Sequence, residues 1–159
     1  MSVTTPMTLE TYTSALRQMF DEAFDEVHGM ILDPGDSLFP TLSTVSAEEA
    51  SRRISSHCAP LAAQVEHVCV YLDMAVKYAN GAEDVKVDWA AAWARESVTP
   101  EEWDALKDRL RSVYNDLLAA FDNEATWANP DAVSGSMAAL AHTFYHLGEI
   151  RQGLGVLRG

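Results

Sequence analysis

Positive charge is the scarcest property of this chain. Its 159 residues hold 11 Lys and Arg against 24 Asp and Glu, a formal net charge of −13. A surface of that sign repels phosphate backbones and anionic lipid, which sets nucleic-acid and membrane-surface roles aside. It does not repel cations. Cysteine is nearly absent: Cys58 and Cys69 make neither a disulfide framework nor a Cys-x-x-Cys motif. Both fall in or near one apolar helical stretch, where a cysteine is expected to act as a small hydrophobe. No run approaches the roughly 18 apolar residues of a membrane span. The opening "MSVTTPMTLETY" has neither a basic region nor an apolar core, so no signal peptide is read there. Gly-rich phosphate loops, Ser-centred elbows and basic-aromatic patches are also missing. The expectation is a soluble, cytoplasmic protein built as a single domain over residues 1–159, without repeats or linkers.

What the chain has is helical periodicity. Leu9, Tyr12, Leu16, Met19, Phe20, Ala23 and Val27 recur at three- and four-residue steps, which predicts a first helix over 9–27, with Gly29 as its C-cap. "ILDPGDSLFP" carries turn chemistry and reads as a structured connection rather than a helix. "SAEE" at Ser46–Glu49 is a capping box for a short helix with Ala50 and Ile54. A second long helix is expected from about Pro60 to Tyr78, on the stripe Leu61, Val65, Val68, Leu72 and Val76. The segment through Trp89 and Trp93 reads as a loop or a short irregular helix.

"TPEE" combines an N-cap Thr99, a first-turn Pro100 and a closing Glu102. Beyond it, Leu106, Leu110, Val113, Leu117 and Ala120 form the seam of a third helix. "DNEATWANPDAV" is read as a loop. The fourth helix starts near Asp131, with Val133, Met137, Leu140, Phe144 and Leu147 as its apolar stripe. The fold class expected is all-α: a four-helix bundle with a long first connection and a short extra helix.

Five histidines stand in this framework. His142 and His146 are one helical turn apart, about 5–6 Å between Cβ atoms, on a face shared with Gly135, Ala138, Ala139, Glu149 and Gly153. Small residues there let a neighbouring helix approach. Two buried imidazoles need partners, and a metal ion satisfies both at once. His67, on the second helix beside Gln64, Tyr71 and Met74, reads either as a third ligand or as a half-buried core histidine bonded to a carbonyl. The residues alone leave both open. His28 reads as a cation at the end of the first helix. His57 precedes the second helix and faces solvent or the mouth of the site. "HTFYH" lacks the Glu of the zincin motif, and a di-iron bundle would need two Glu-x-x-His pairs where this chain has one Asp25-to-His28 imitation. Three imidazoles would suit zinc, nickel, copper or iron.

The order of four segments carries a resemblance. "GMILDPGDSLFPTL" follows the first helix, "LAAQVEHVCVYLDMA" lies on the second, "SVTPEEWDALKDRLRSVY" opens the third and "HTFYHLGEIRQ" lies on the fourth. Together they resemble the DinB/YfiT-like superfamily of metalloenzymes over nearly the whole chain. The resemblance implies a four-helix bundle in which His67, His142 and His146 hold one divalent metal, often zinc or nickel, and frequent homodimers. It also implies hydrolase or thiol-dependent transferase chemistry on a small electrophilic substrate, with a low-molecular-weight thiol as a cosubstrate. Where the family often has Gln, this chain has Glu149, either an acid/base group or fourth ligand, or a partner of Arg151 or Arg158. Glu149, Tyr71 and Tyr145 are the candidates for acid/base work. The contrasting expectation is a non-catalytic metal-binding or stress-related interaction module.

Overall fold

The computed structural model describes residues 7–159, so the first half of the stretch read for a signal peptide lies outside the described residues. Among the described residues the chain is all-helical, without a named strand. Four helices are long: α1 (Leu9–Phe24), α4 (Leu61–Ala79), α6 (Pro100–Asp122) and α7 (Ala132–Arg158). Three are short: α2 (Leu38–Ser43), α3 (Ala47–Ser51) and α5 (Trp89–Ala92). A 3₁₀ turn at Glu124–Ala128 occupies part of the stretch expected to be a loop.

The starts of these helices follow from their capping chemistry. Ser46 and Glu49 close a reciprocal capping box on α3, and Thr99 and Glu102 close another on α6, where Pro100 sits at a position that needs no N–H. Each such cap stabilises a helix end by about 1 kcal/mol. Helix α4 is central, packing against both α6 and α7, while α1 packs on α7. The core joins Phe20 and Phe24 of α1 to Leu61, Val65 and Leu72 of α4, Leu110 and Leu117 of α6, and Leu147 and Ile150 of α7. Burying each of these side chains contributes on the order of 1.5–3 kcal/mol.

Five expectations are corrected. Helix α1 stops at Phe24 rather than Val27. The fully buried Glu22 carboxylate accepts hydrogen bonds from the backbone N–H groups of Met30, Ile31 and Leu32, which turns the chain back on itself. Gly29, at φ +77°, therefore serves this turn and does not cap the helix. His28 is not a dipole cap either; its Nε2 lies 2.6 Å from the Asp21 carboxylate.

The "SLFP" segment is helical, because Pro40 falls in the first turn of α2, where its missing N–H costs nothing. On α7 the expected stripe is rotated: Val133 and Met137 are exposed, and the buried face runs through Ser136, Ala139, Thr143, His146, Leu147, Ile150 and Leu154. Cys69 behaves as a small hydrophobe, its thiol pushed up to about 12 by burial, whereas Cys58 is exposed in the connection before α4. No helix among the described residues is long and apolar enough to cross a membrane.

Candidate metal centre

The contact between α4 and α7 brings the three singled-out histidines together. His67 is in the middle of α4, and His142 and His146 stand one turn apart on α7. Gly153 of α7 lies against the connection that precedes α4: a Cβ there would overlap the end of the Ile54 side chain. Ala139 is also buried at the contact, but Gly135 and Ala138 are exposed and do not contribute to the approach.

The Nε2 atoms of the three rings face one another. His67 Nε2 is 3.0 Å from His142 Nε2, and His142 Nε2 is 3.2 Å from His146 Nε2. All three donors lie within 4.8 Å of one another. A tetrahedral ion about 2.0–2.1 Å from each nitrogen sets donors about 3.3 Å apart, close to the His67–His142 and His142–His146 separations.

Proton accounting supports the fit. His146 Nδ1 is 2.9 Å from Glu149 Oε2, and a carboxylate only accepts, so His146 carries its proton on Nδ1 and turns a bare Nε2 inward. His142 Nε2 meets two neighbours, and a neutral ring nitrogen cannot donate to one and accept from the other. At least one of these contacts is therefore unfavourable without a third party. The Nδ1 atoms of His67 and His142 are buried without a hydrogen-bond partner in the protein. A cation at the common focus of the Nε2 atoms removes their conflict.

Burial pushes the His67 imidazole down to about 4, and the charge of a protonated His146 would push the same way. Burial pushes His142 down to about 3, while His146 is lowered by burial against the opposing pull of Glu149. All three rings are therefore neutral at pH 7 with lone pairs available, the form a metal requires. The buried His67, His142 and His146 group can hold a metal ion.

Aromatic rings pack against two of the imidazoles. Tyr71 stacks on His142 at 3.6 Å between ring centroids and 11° between planes. Trp93 stacks on His67 at 4.2 Å and 22°. Tyr145 meets His146 edge-on at 4.9 Å but is 61 % exposed, and Glu149 raises its phenol pKa through a side-chain hydrogen bond and its charge. Glu149 pairs with neither nearby arginine: Arg151 goes to Asp36, and Arg158 to Glu49.

Next to the group, separated from it by Trp93, Tyr145 and Glu149, lies a cavity of about 740 Å³ that none of the three histidines lines; it sits between the α3–α4 connection and the C-terminal half of α7. Glu149, Tyr145 and Gln64 line it, as does exposed His57, while Tyr71 does not. Trp93 and Gln64 were not among the site residues expected from sequence. Trp93 reaches His67 from the C-cap of a four-residue helix that has no periodicity to read. The one signal for Gln64 was its place one turn before His67.

The fold and the group together define an all-helical protein with a buried three-histidine site able to bind metal. No family model matches the chain, and no curated protein or solved structure does either.

Proposed function

We propose that the chain is a mononuclear metalloenzyme of the DinB/YfiT-like kind, with α1, α4, α6 and α7 forming its four-helix bundle. In this reading it is a hydrolase or a thiol-dependent transferase acting on a small electrophilic substrate, with zinc or nickel as its metal. The observation that carries the reading is the convergence of three neutral imidazole nitrogens within 4.8 Å. The cavity of about 740 Å³ beside them is large enough for a small molecule.

His67, His142 and His146 would hold the ion through Nε2. When bound, a divalent ion supplies Lewis acidity, polarising an electrophile and acidifying a water or thiol beside it. The chain's own residues do the rest. Glu149 fixes the tautomer of His146 through Nδ1 and so positions its inward lone pair. Because Glu149 also lines the cavity, it is placed to take a proton from a reacting group there. Tyr145, on the same wall, can donate one. Tyr71 and Trp93 hold ring planes and are positioning residues.

A homodimer belongs to the same proposal, supported by Val133, Met137, Tyr145 and Val156, which leave one side of α7 exposed and apolar. Sedimentation showing a mass of two chains would support it, and a mass of one chain would remove it.

The functional test is a panel of ester and amide hydrolysis and thiol conjugation. It is run on metal-loaded protein, on protein treated with chelator, and after metal is restored. Turnover that chelation removes and metal returns is the expected result. Metal-loaded protein inert in both reaction classes would leave a non-catalytic metal-binding or interaction module.

A further inference from the structure

Glu149 orients His146 by accepting the proton on its Nδ1. His67 has no such partner: its Nδ1 is buried without a hydrogen bond in the protein. One turn earlier on α4, Gln64 is its complement. Gln64 Oε1 is the one buried side-chain acceptor left unpaired among the described residues. Other atoms of Gln64 line the neighbouring cavity, but this oxygen is sealed from it. Gln64 is 6 % exposed and His67 is 7 % exposed. Unpaired buried groups are costly and rare in folded proteins. A buried nitrogen and a buried oxygen, both unpaired within one helical turn, share one explanation.

Helix geometry brings the two together. Residues three apart share a helix face, with about 5–6 Å between their Cβ atoms. Helical side chains lean toward the N-terminus, so the His67 ring lies over the turn that carries Gln64. Its Nε2 points to His142 Nε2 at 3.0 Å, and because the two ring nitrogens diverge, Nδ1 faces away from that contact. His142 Nδ1 is unpaired as well, but its ring stacks on Tyr71, two turns along α4 from Gln64.

The place of the ring proton decides whether Gln64 and His67 bond. A neutral imidazole carries one proton. On Nε2, as a donor toward His142, it leaves Nδ1 a bare acceptor that offers a carbonyl oxygen nothing. Once Nε2 gives its lone pair to a metal ion, the proton stands on Nδ1 and needs an acceptor. The Gln64 carboxamide oxygen is that acceptor.

We infer that Gln64 is the positioning residue of His67, its Oε1 accepting the Nδ1 proton when Nε2 serves as a metal ligand. The inference rests on the metal reading above and gives His67 a counterpart to Glu149.

The test compares wild type with Gln64→Leu, which removes the acceptor at similar volume, and Gln64→Glu, which keeps one. Zinc affinity against a competing chelator should fall about tenfold or more in Gln64→Leu and return to wild-type strength or beyond in Gln64→Glu. Thermal melting separates positioning from packing. In chelated protein, Gln64→Leu deletes an unpaired acceptor and should melt no lower than wild type. In zinc-loaded protein it should lose part of the rise in Tm that zinc gives wild type. In the proton NMR spectrum of zinc-loaded protein, the His67 Nδ1 proton should move upfield in Gln64→Leu and downfield in Gln64→Glu. The second shift keeps the test available if Gln64→Leu does not fold.

Equal zinc affinity in wild type and Gln64→Leu, a loss that Gln64→Glu fails to restore, melting lowered equally with and without zinc, or an Nδ1 proton that Gln64→Glu leaves in place would each overturn the inference. Wild-type protein that takes up no zinc defeats the metal reading, and this inference falls with it. A zinc-binding wild type whose affinity Gln64→Leu matches defeats this inference alone.

Discussion

Two buried polar centres in this molecule are solved in opposite ways. Glu22 is fully buried, and its carboxylate accepts the backbone N–H groups of Met30, Ile31 and Leu32. Burial alone would raise its pKa, but hydrogen bonds from the backbone of Leu32, Ile31, Met30 and His28 outweigh it and leave the pKa lowered. The protein answers that charge from within. The histidine group, by contrast, has inward Nε2 atoms that conflict. A polar centre completed by its own backbone is built for stability; one left incomplete is built for a visitor.

That difference is open to direct attack. The largest expected effect is at the completed centre. Glu22→Ala strips a charged acceptor from three backbone donors and should lose about 3–5 kcal/mol of stability in urea unfolding. A loss below about 1 kcal/mol would mean that the 28–32 turn holds without it. The next effect belongs to the incomplete centre. Glu149→Gln weakens the acceptor that orients His146, and metal affinity measured against a competing chelator should fall about 10- to 100-fold. An unchanged affinity would detach Glu149 from the site.

The pH dependence gives a third comparison. His67 is held near 4 and His142 near 3 in the folded protein, against an ordinary histidine value of 6.5. Between those values the unfolded chain binds more protons, so stability of the chelated protein is full above pH 6.5 and falls as pH drops toward 4 and 3. For Glu22 the loss begins lower, as pH falls below the ordinary carboxylate value of 4.5. Thermal melting of chelated wild type and His142→Leu across this range should separate the two, the variant showing a shallower decline above pH 4.5. Identical curves would mean that His142 titrates alike in both states.

The smallest effect is the most pointed. In chelated protein at pH 7, His142→Leu replaces a ring with an unpartnered nitrogen by an apolar group, and stability should change by less than about 1 kcal/mol. A loss as large as that of Glu22→Ala would make the histidines structural.

Much of this architecture could be read in the chain. The reciprocal caps at Ser46 and Thr99 were legible because their chemistry is local, and the α6 seam because Leu106, Leu110, Val113 and Leu117 are clearly periodic. The spacing of His142 and His146 was legible for the same reason. The buried face of α7 was not, because apolar residues surround much of that helix and the wheel has no polar side to orient it. The end of α1 was hidden for a different reason. Glu22 looks like any helix-surface glutamate until the turn eight to ten residues later folds onto it. Trp93 became a site residue only through its contact with His67 on a distant segment, which no spacing along the chain encodes.

The account depends on the histidine group taking up a metal ion. Elemental analysis of protein expressed with supplemented zinc and nickel, beside His142→Ala prepared identically, tests that most directly. The prediction is one divalent ion per chain in the wild type and loss of most of it in the variant. Wild-type protein without stoichiometric metal, or a variant that keeps the same content, would contradict it.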